Sequence, residues 1–171
     1  TDEQKKLVYA TKSGWVLENG ALTGNDNPNA DPEILVAIGE LATSIGAADI
    51  TEIEFITTAF DVSDGGTLQV RVRFNEEVDV TGTPQLTVVN DSRANHTLSY
   101  ASGTGSNELV FSLTIAAGGG GVIADGDVLS IGANATALNG GTIKDKGTNT
   151  ASTITNVAGV GTAAGTITAA A

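Results

Sequence analysis

The chain has 171 residues, with 20 Asp and Glu against 8 Lys and Arg, a formal net charge of -12 and no Cys. That balance argues against nucleic acid and anionic membrane as partners, because affinity for phosphate comes from clustered Lys and Arg displacing counterions; without Cys there is neither a disulfide nor thiolate chemistry. Charged residues make up 16%, aromatics 4%, and glycines number 22, a composition that fits many short strands on Gly-rich connections in one domain with a small attached unit.

Thr1-Asp2-Glu3-Gln4-Lys5-Lys6 leads into no apolar core of signal-peptide type. Thr1 fits removal of an initiator Met and fits cleavage equally, and no apolar run reaches membrane-spanning length. Leu7-Val8-Tyr9-Ala10 and Trp15-Val16-Leu17 are short β-like runs around Thr11-Lys12-Ser13-Gly14 and predict a hairpin. Residues 19–30 are rich in Gly, Asn, Asp and Pro in the manner of a surface loop. Asp31-Pro32-Glu33 then supplies an N-cap, a proline at the first helical position and an acidic first turn, and Ile34, Leu35, Ile38, Leu41, Ala42 and Ile45 fall on one helical stripe ended by Gly46. The spacing therefore predicts a helix. Because Gly39 weakens it by about 1 kcal/mol relative to Ala, a strand over residues 33–38 is the alternative.

Residues 50–57 alternate, with Ile53 and Phe55 opposite Glu52 and Glu54, and predict a strand. A turn at 61–66 leads to the clearest pattern in the chain, Leu68, Val70, Val72 and Phe74 alternating with Gln69, Arg71 and Arg73. Glu76 and Glu77 interrupt it, Val78 and Val80 resume it, Thr81-Gly82-Thr83-Pro84 turns, and Leu86 and Val88 start again: strand, kink, short strand, turn, strand. A turn at Asn90-Asp91-Ser92 precedes His96, Leu98 and Tyr100 on one face. A loop over 101–107 precedes Leu109, Phe111, Leu113 and Ile115, which Gly118 to Gly121 terminate. Val128, Leu129 and Ile131 form a further short strand, and Ile143 and Ile154 mark a last pair. After Val157, residues 158–171 are Gly, Ala and Thr with isolated Val160 and Ile167, which read either as a terminal strand on a flexible segment, ordered only if something pairs with it, or as a disordered tail.

The fold expected is mainly β, an immunoglobulin-like β-sandwich of about seven strands over residues 50–155, with a hairpin-plus-helix docking unit at 1–49 and a tail at 156–171. The order Phe74-x-Glu76-x-Val78-x-Val80-Thr81-Gly82-x-Pro84-x-Leu86 resembles the opening of an immunoglobulin-like domain found in tandem in bacterial surface adhesins and singly in bacteriophage virion proteins. Leu138, Gly140, Gly141, Ile143, Asp145, Asn149 and Ala151 resemble its close. Asn75 stands where that domain has Ser, Glu77 where it has Pro, and Gly147-Thr148-Asn149 where it has Gly-Asn. The resemblance covers residues 50–155 and implies a scaffold or adhesive module with no shared chemistry.

The chemical constellations are weak. A nucleophilic triad needs a base, and the chain has one His, no Cys and no Gly-x-Ser-x-Gly elbow; His96 shares strand parity with Leu98 and Tyr100 and reads as a partly buried structural residue. Zinc lacks its ligands. Asp61 with Asp64 and Asp125 with Asp127 are acidic loop pairs beside Gly, without the spacing of a calcium loop, and turn formation explains them. Glu52 and Glu54 read as a solvated strand face rather than paired glycosidase acids. Gly118 to Gly121 lacks the Lys and Ser/Thr of a phosphate loop and reads as a connector. Asn90, Asn95 and Asn134 begin Asn-x-Ser/Thr triplets, which so Ser/Thr-rich a chain produces by chance. Trp15, the one Trp, is either a partner-contacting anchor or the residue that packs the hairpin onto the helix.

Taken together, the expectation is a non-enzymatic structural virion protein without cofactor or metal. A single copy with a short N-terminal unit is similar to decoration or cement proteins on the capsids of tailed phages, including marine cyanophages. The resemblance implies synthesis in the host cytoplasm and a place on the virion surface. Its partners would be the major capsid protein and neighbouring copies of itself, as trimers at lattice axes, with no nucleic acid and no membrane. The alternative is an adhesive module of a phage fibre or bacterial surface protein that binds glycan or receptor; an enzyme comes third.

Overall fold

The computed structural model describes residues 8–11, 14–17, 33–37 and 46–171. The chain divides into two compact units, residues 1–45 and 46–171. In the first, β1 (Val8–Thr11), β2 (Gly14–Leu17) and β3 (Glu33–Ala37) form an antiparallel sheet in that order. The expected hairpin is β1–β2, with Val8 opposite Leu17 and Ala10 opposite Trp15. The helix expected from Asp31 is corrected: residues 33–37 are a strand, paired with β2 through Gly14 opposite Ala37 and Trp15 opposite Val36. Glu-Ile-Leu-Val-Ala is a short apolar run that fits both periods, and its β-branched residues favour the sheet once a partner strand satisfies the backbone. The rest of the expected helix, residues 38–45, and the loop at 19–30 lie outside the described residues, as does the side chain of Trp15.

The second unit holds β4 (Ile50–Phe55), β5 (Phe60–Asp61), β6 (Gly66–Thr81), β7 (Gln85–Asn90), β8 (His96–Ser102), β9 (Ser106–Ile115), β10 (Val128–Ser130), β11 (Thr136–Ala137), β12 (Thr142–Asp145), a short helix α1 (Ala158–Thr162) and β13 (Ile167–Ala170). Strand order is β12-β6-β9-β8-β7-β10-β13-β5, with β4 added to β6 and β11 to β7. The mainly β expectation holds, but the two-sheet immunoglobulin-like sandwich does not: this is one strongly curled, mixed, 10-stranded sheet forming a half-barrel. A sandwich requires a break in the hydrogen-bond ladder between its layers. Here β7 pairs with β8 from Gln85 opposite Ser99 to Val88 opposite His96, and β8 passes directly to β9, so the ladder never breaks. Register shifts between Tyr100 and Ser102 and between Arg73 and Val78 are the irregularities that bend such a sheet.

β6 is a single 16-residue strand where the sequence suggested a kink. Its parity survives Glu76 and Glu77: Leu68, Val70, Val72, Phe74 and Val78 are all buried on one face. The near half carries β4 and β9 on its two edges, and the far half, Val78 to Thr81, carries β12. The concave side is filled by this face together with Leu86, Leu98, Phe111, Leu129, Ile131 and Ile143, each fully buried and each contributing on the order of 1.5–3 kcal/mol of burial. Tyr100 meets Phe111 edge to face at 6.2 Å between ring centroids.

The chain's last segment is part of this sheet. β13 pairs antiparallel with β10 (Leu129 opposite Ile167) and parallel with β5 (Ala169 opposite Phe60), and Ile167 and Ala169 are buried. Ahead of it, α1 rests against the chain at Ile131 and Gly132, where Gly161 comes so close that a Cβ would lie 2.5 Å from the Gly132 carbonyl oxygen. The connector at Ala117–Gly121 runs through four successive glycines with positive φ, conformations that other residues rarely adopt. No helix among the described residues is long and apolar enough to cross a membrane.

Candidate functional site

The most developed polar constellation sits where β7 ends, β8 begins and β10 is about to start. Asn90, the last residue of β7, is buried and turns the chain: its Oδ1 accepts the backbone N–H of Ser92 and of Arg93, each at 3.0 Å. With that oxygen committed, the amide nitrogen faces inward, donating to Asp127 Oδ2 at 3.0 Å and approaching His96 Nε2 at 3.4 Å. An amide nitrogen can only donate, so this contact is a hydrogen bond when Nε2 is unprotonated, in the neutral ring with its proton on Nδ1. Burial agrees, pushing His96 below the usual histidine range against the opposing pull of the Asp127 charge.

Asp127 Oδ2 also accepts from the Ala124 backbone N–H at 2.9 Å and from Arg93 Nε at 3.0 Å. The Asn90 hydrogen bond, then Ala124 and the Arg93 charge, hold its carboxyl below the ordinary range. His96 is held by the Asn90 amide beside the Asp127 charge, and among the described residues no Ser or Thr hydroxyl hydrogen-bonds to it. What the cluster does is fix the 91–95 loop beside an open cleft of about 410 Å³, lined by Arg93, His96, Leu113, Ile115 and the exposed Val122. The cleft is mostly apolar with Arg93 as a cationic residue on its rim, a shape that fits a small or narrow group.

The other candidates from sequence are accounted for by local geometry. Asp61 Oδ1 accepts from Ser63 N (2.8 Å), Ser63 Oγ (2.6 Å) and Asp64 N (3.2 Å), a turn held by its own side chain. Asp125 Oδ1 accepts from Ala171 N at 3.1 Å, while Asp127 belongs to the Asn90 cluster; among the described residues no group of three or more Asp, Glu or His side chains gathers at either pair. Glu52 and Glu54 stand on an outer face with Arg71, Arg73 and Glu108. Arg71 pairs with Glu54 and with Glu108, while Arg73 Nε reaches Glu108 at 2.7 Å and its NH1 reaches Glu52 at 2.8 Å. These are ion pairs across three strands, not free catalytic acids. Asn90 is buried, while Asn95 and Asn134 are exposed. Trp15 pairs through its backbone with Ala10 and Val36.

Sequence reasoning missed the Asn90–Asp127 pairing because both residues read as turn formers, 37 positions apart. It also missed that Glu76 and Asp145, the acids of the two motif segments, are brought together by the pairing of β6 with β12. Compared with known protein families, with curated proteins and with solved structures, the chain matches none.

Proposed function

We propose that the protein is a non-enzymatic decoration or cement protein on the outside of a phage capsid, with the major capsid protein and neighbouring copies of itself as partners. The observation that carries this reading is the division of the chain into a body, residues 46–171, and a separate small unit, residues 1–45. A sheet of three short strands has little core of its own, and among the described residues β1 and β3 each pair with one strand only, which leaves edges for strand addition by another chain. The motif resemblance of residues 74–86 and 138–151 to virion proteins points the same way, while the two-sheet sandwich that it implied is not the fold found. The self-satisfied His96 cluster gives no support to catalysis, and a charge of -12 disfavours phosphate-rich partners. Capsid binding would bury the first unit, Trp15 included, and leave the acidic body outward.

The test is titration of the full chain onto preformed capsids. Saturable binding at a fixed number of copies per lattice position, lost on changes at Trp15 or in β1, supports the proposal. Absence of binding, or loss confined to changes in the body, refutes it. The cleft beside His96 favours a second reading, an adhesive module binding glycan or receptor; glycan-array binding abolished by Val122→Asp would establish that one instead.

A further inference from the structure

β8 and β9 pair only from Ser99 opposite Ser112 to Ser102 opposite Val110. Beyond that point His96 to Leu98 pair with β7 alone, and Leu113 to Ile115 with β6 alone. The cleft of about 410 Å³ lies between these parted ends, with Arg93, His96 and Thr97 on one wall and Leu113, Thr114 and Ile115 on the other. The exposed Val122 lines it as well.

The turn at Asn90 decides which hydrogen-bonding groups this cleft presents. Asn90 Oδ1 is taken by the backbone N–H of Ser92 and of Arg93, so the donor Nδ2 is what approaches His96 Nε2, and the neutral ring that accepts it carries its proton on Nδ1. His96 is only 4% exposed, yet its Nδ1 has no partner among the described residues and keeps some surface open. A donor on a nearly buried ring that lines an apolar cleft calls for an acceptor there. Arg93 adds further donors. Its Nε is fixed on Asp127 Oδ2 at 3.0 Å, which steadies the guanidinium beside the cleft, while its two terminal nitrogens make no hydrogen bond to the described residues.

We propose that this cleft binds a small carboxylic acid with an aliphatic body, as the carboxylate, which accepts from His96 Nδ1–H and from the Arg93 guanidinium. The body lies against Leu113, Ile115 and Val122. An ionised acceptor makes the stronger bond to both donors, and a guanidinium held at one end suits the paired oxygens of a carboxylate. A single negative charge is what a guanidinium shared with Asp127 can meet, whereas a phosphate brings more charge to a chain already at -12. A sugar ring is served less well, since no Phe, Tyr or Trp lines the cleft. Its volume is near the lower end of the range for ligand sites, about 300–1,000 Å³, and suits a body of a few carbons.

His96 is the chain's one histidine, so its imidazole resonances report on the site directly. Sodium hexanoate titrated into the full chain at neutral pH should shift them saturably, with a dissociation constant of about 10⁻⁴–10⁻³ M. It should also move the midpoint of the His96 pH titration upward, because a carboxylate beside the ring favours its charged form. Hexanamide, equal in length and uncharged, should bind about tenfold more weakly or worse. Arg93→Gln should erase most of that preference. Val122→Asp, at an exposed position, should weaken hexanoate by about tenfold by setting a like charge and a polar group against its body. If Arg93→Gln does not fold, the hexanamide comparison and Val122→Asp carry the test. His96 resonances that ignore hexanoate overturn the proposal, as does hexanamide binding as well as hexanoate, or hexanoate binding that Val122→Asp leaves unchanged. Glycan binding lost in Val122→Asp, with no response to hexanoate, assigns the cleft to the adhesive reading and overturns this one. Capsid binding is a separate readout, so failure of either proposal leaves the other standing.

Discussion

Two glycines of the same helical turn should respond to alanine in opposite directions. In α1, Gly159 is exposed and has no heavy atom within 4 Å of where a Cβ would sit, while the Cβ of an alanine at Gly161 would lie 2.5 Å from Gly132 O, 2.6 Å from Ile131 O and 3.0 Å from Gly132 C. Neither has positive φ, so backbone strain plays no part in the comparison. Gly159→Ala removes unfolded-state entropy and should stabilise by about 0.4–1 kcal/mol. Gly161→Ala gains the same entropy, but its methyl meets backbone that no side-chain rotation can move aside; overpacking costs about 1–3 kcal/mol and wins over a helical gain of at most about 1 kcal/mol. Thermal melts of the full chain should therefore show Gly159→Ala slightly above wild type and Gly161→Ala below it, at about 2–8 °C per kcal/mol. Hydrogen exchange should place the added opening of Gly161→Ala at residues 157–165. Equal shifts of one sign in both variants would refute the close seating of α1 on residues 131–132.

Asn156 is buried, accepts from Ala135 N at 2.9 Å and donates to Gly132 O at 3.0 Å, so Asn156→Ala strands a buried N–H and should cost about 1–3 kcal/mol in a denaturant melt. Acid should weaken the fold in two stages. The buried neutral His96 contributes stability that is complete above its unfolded value near about 6.5 and is lost as pH falls below it. Asp127, Asp145 and Glu108, held low in the fold, contribute stability present above their unfolded values near about 4 and lost as pH falls through their lower folded ones. A pH series of melts should show both limbs in wild type and lose the upper one in His96→Gln. Arg73→Ala should cost little stability despite its three carboxylate neighbours, because a side chain 36% exposed is screened, and raising the salt should shrink even that difference.

Strands with one buried face could be read directly from the residues. The alternation of Leu68 to Phe74, Leu86 to Val88, His96 to Tyr100 and Leu109 to Ile115 marks four strands, and in each the apolar residues that set the pattern point mainly inward. Local pattern could not say that β7, β8 and β9 follow one another without a break, because alternation records which face is buried and nothing about which neighbour is bonded. Glu33 to Ala37 misled through its length: five residues do not separate a helical stripe from a strand. β5 has two residues and pairs with Ala169 and Ala170, too little chemistry at either end to announce itself. The polar cluster was hidden for a different reason: Asn and Asp look alike whether they only turn the chain or, like Asn90, turn it and brace a buried histidine as well.

The parallel pairing of β5 with β13 governs the order in which the body can assemble. Phe60 and Asp61 leave the ribosome early, yet the strand that completes their edge is not made until Ile167 to Ala170 have emerged. Until then β5 has no partner strand and β10 is paired on the β7 side alone. Closing so long a loop delays the final step and exposes the nascent chain to mispairing with its neighbours. A stalled chain lacking residues 167–170 should therefore remain sensitive to protease and hold chaperones, and release of those few residues should end both together.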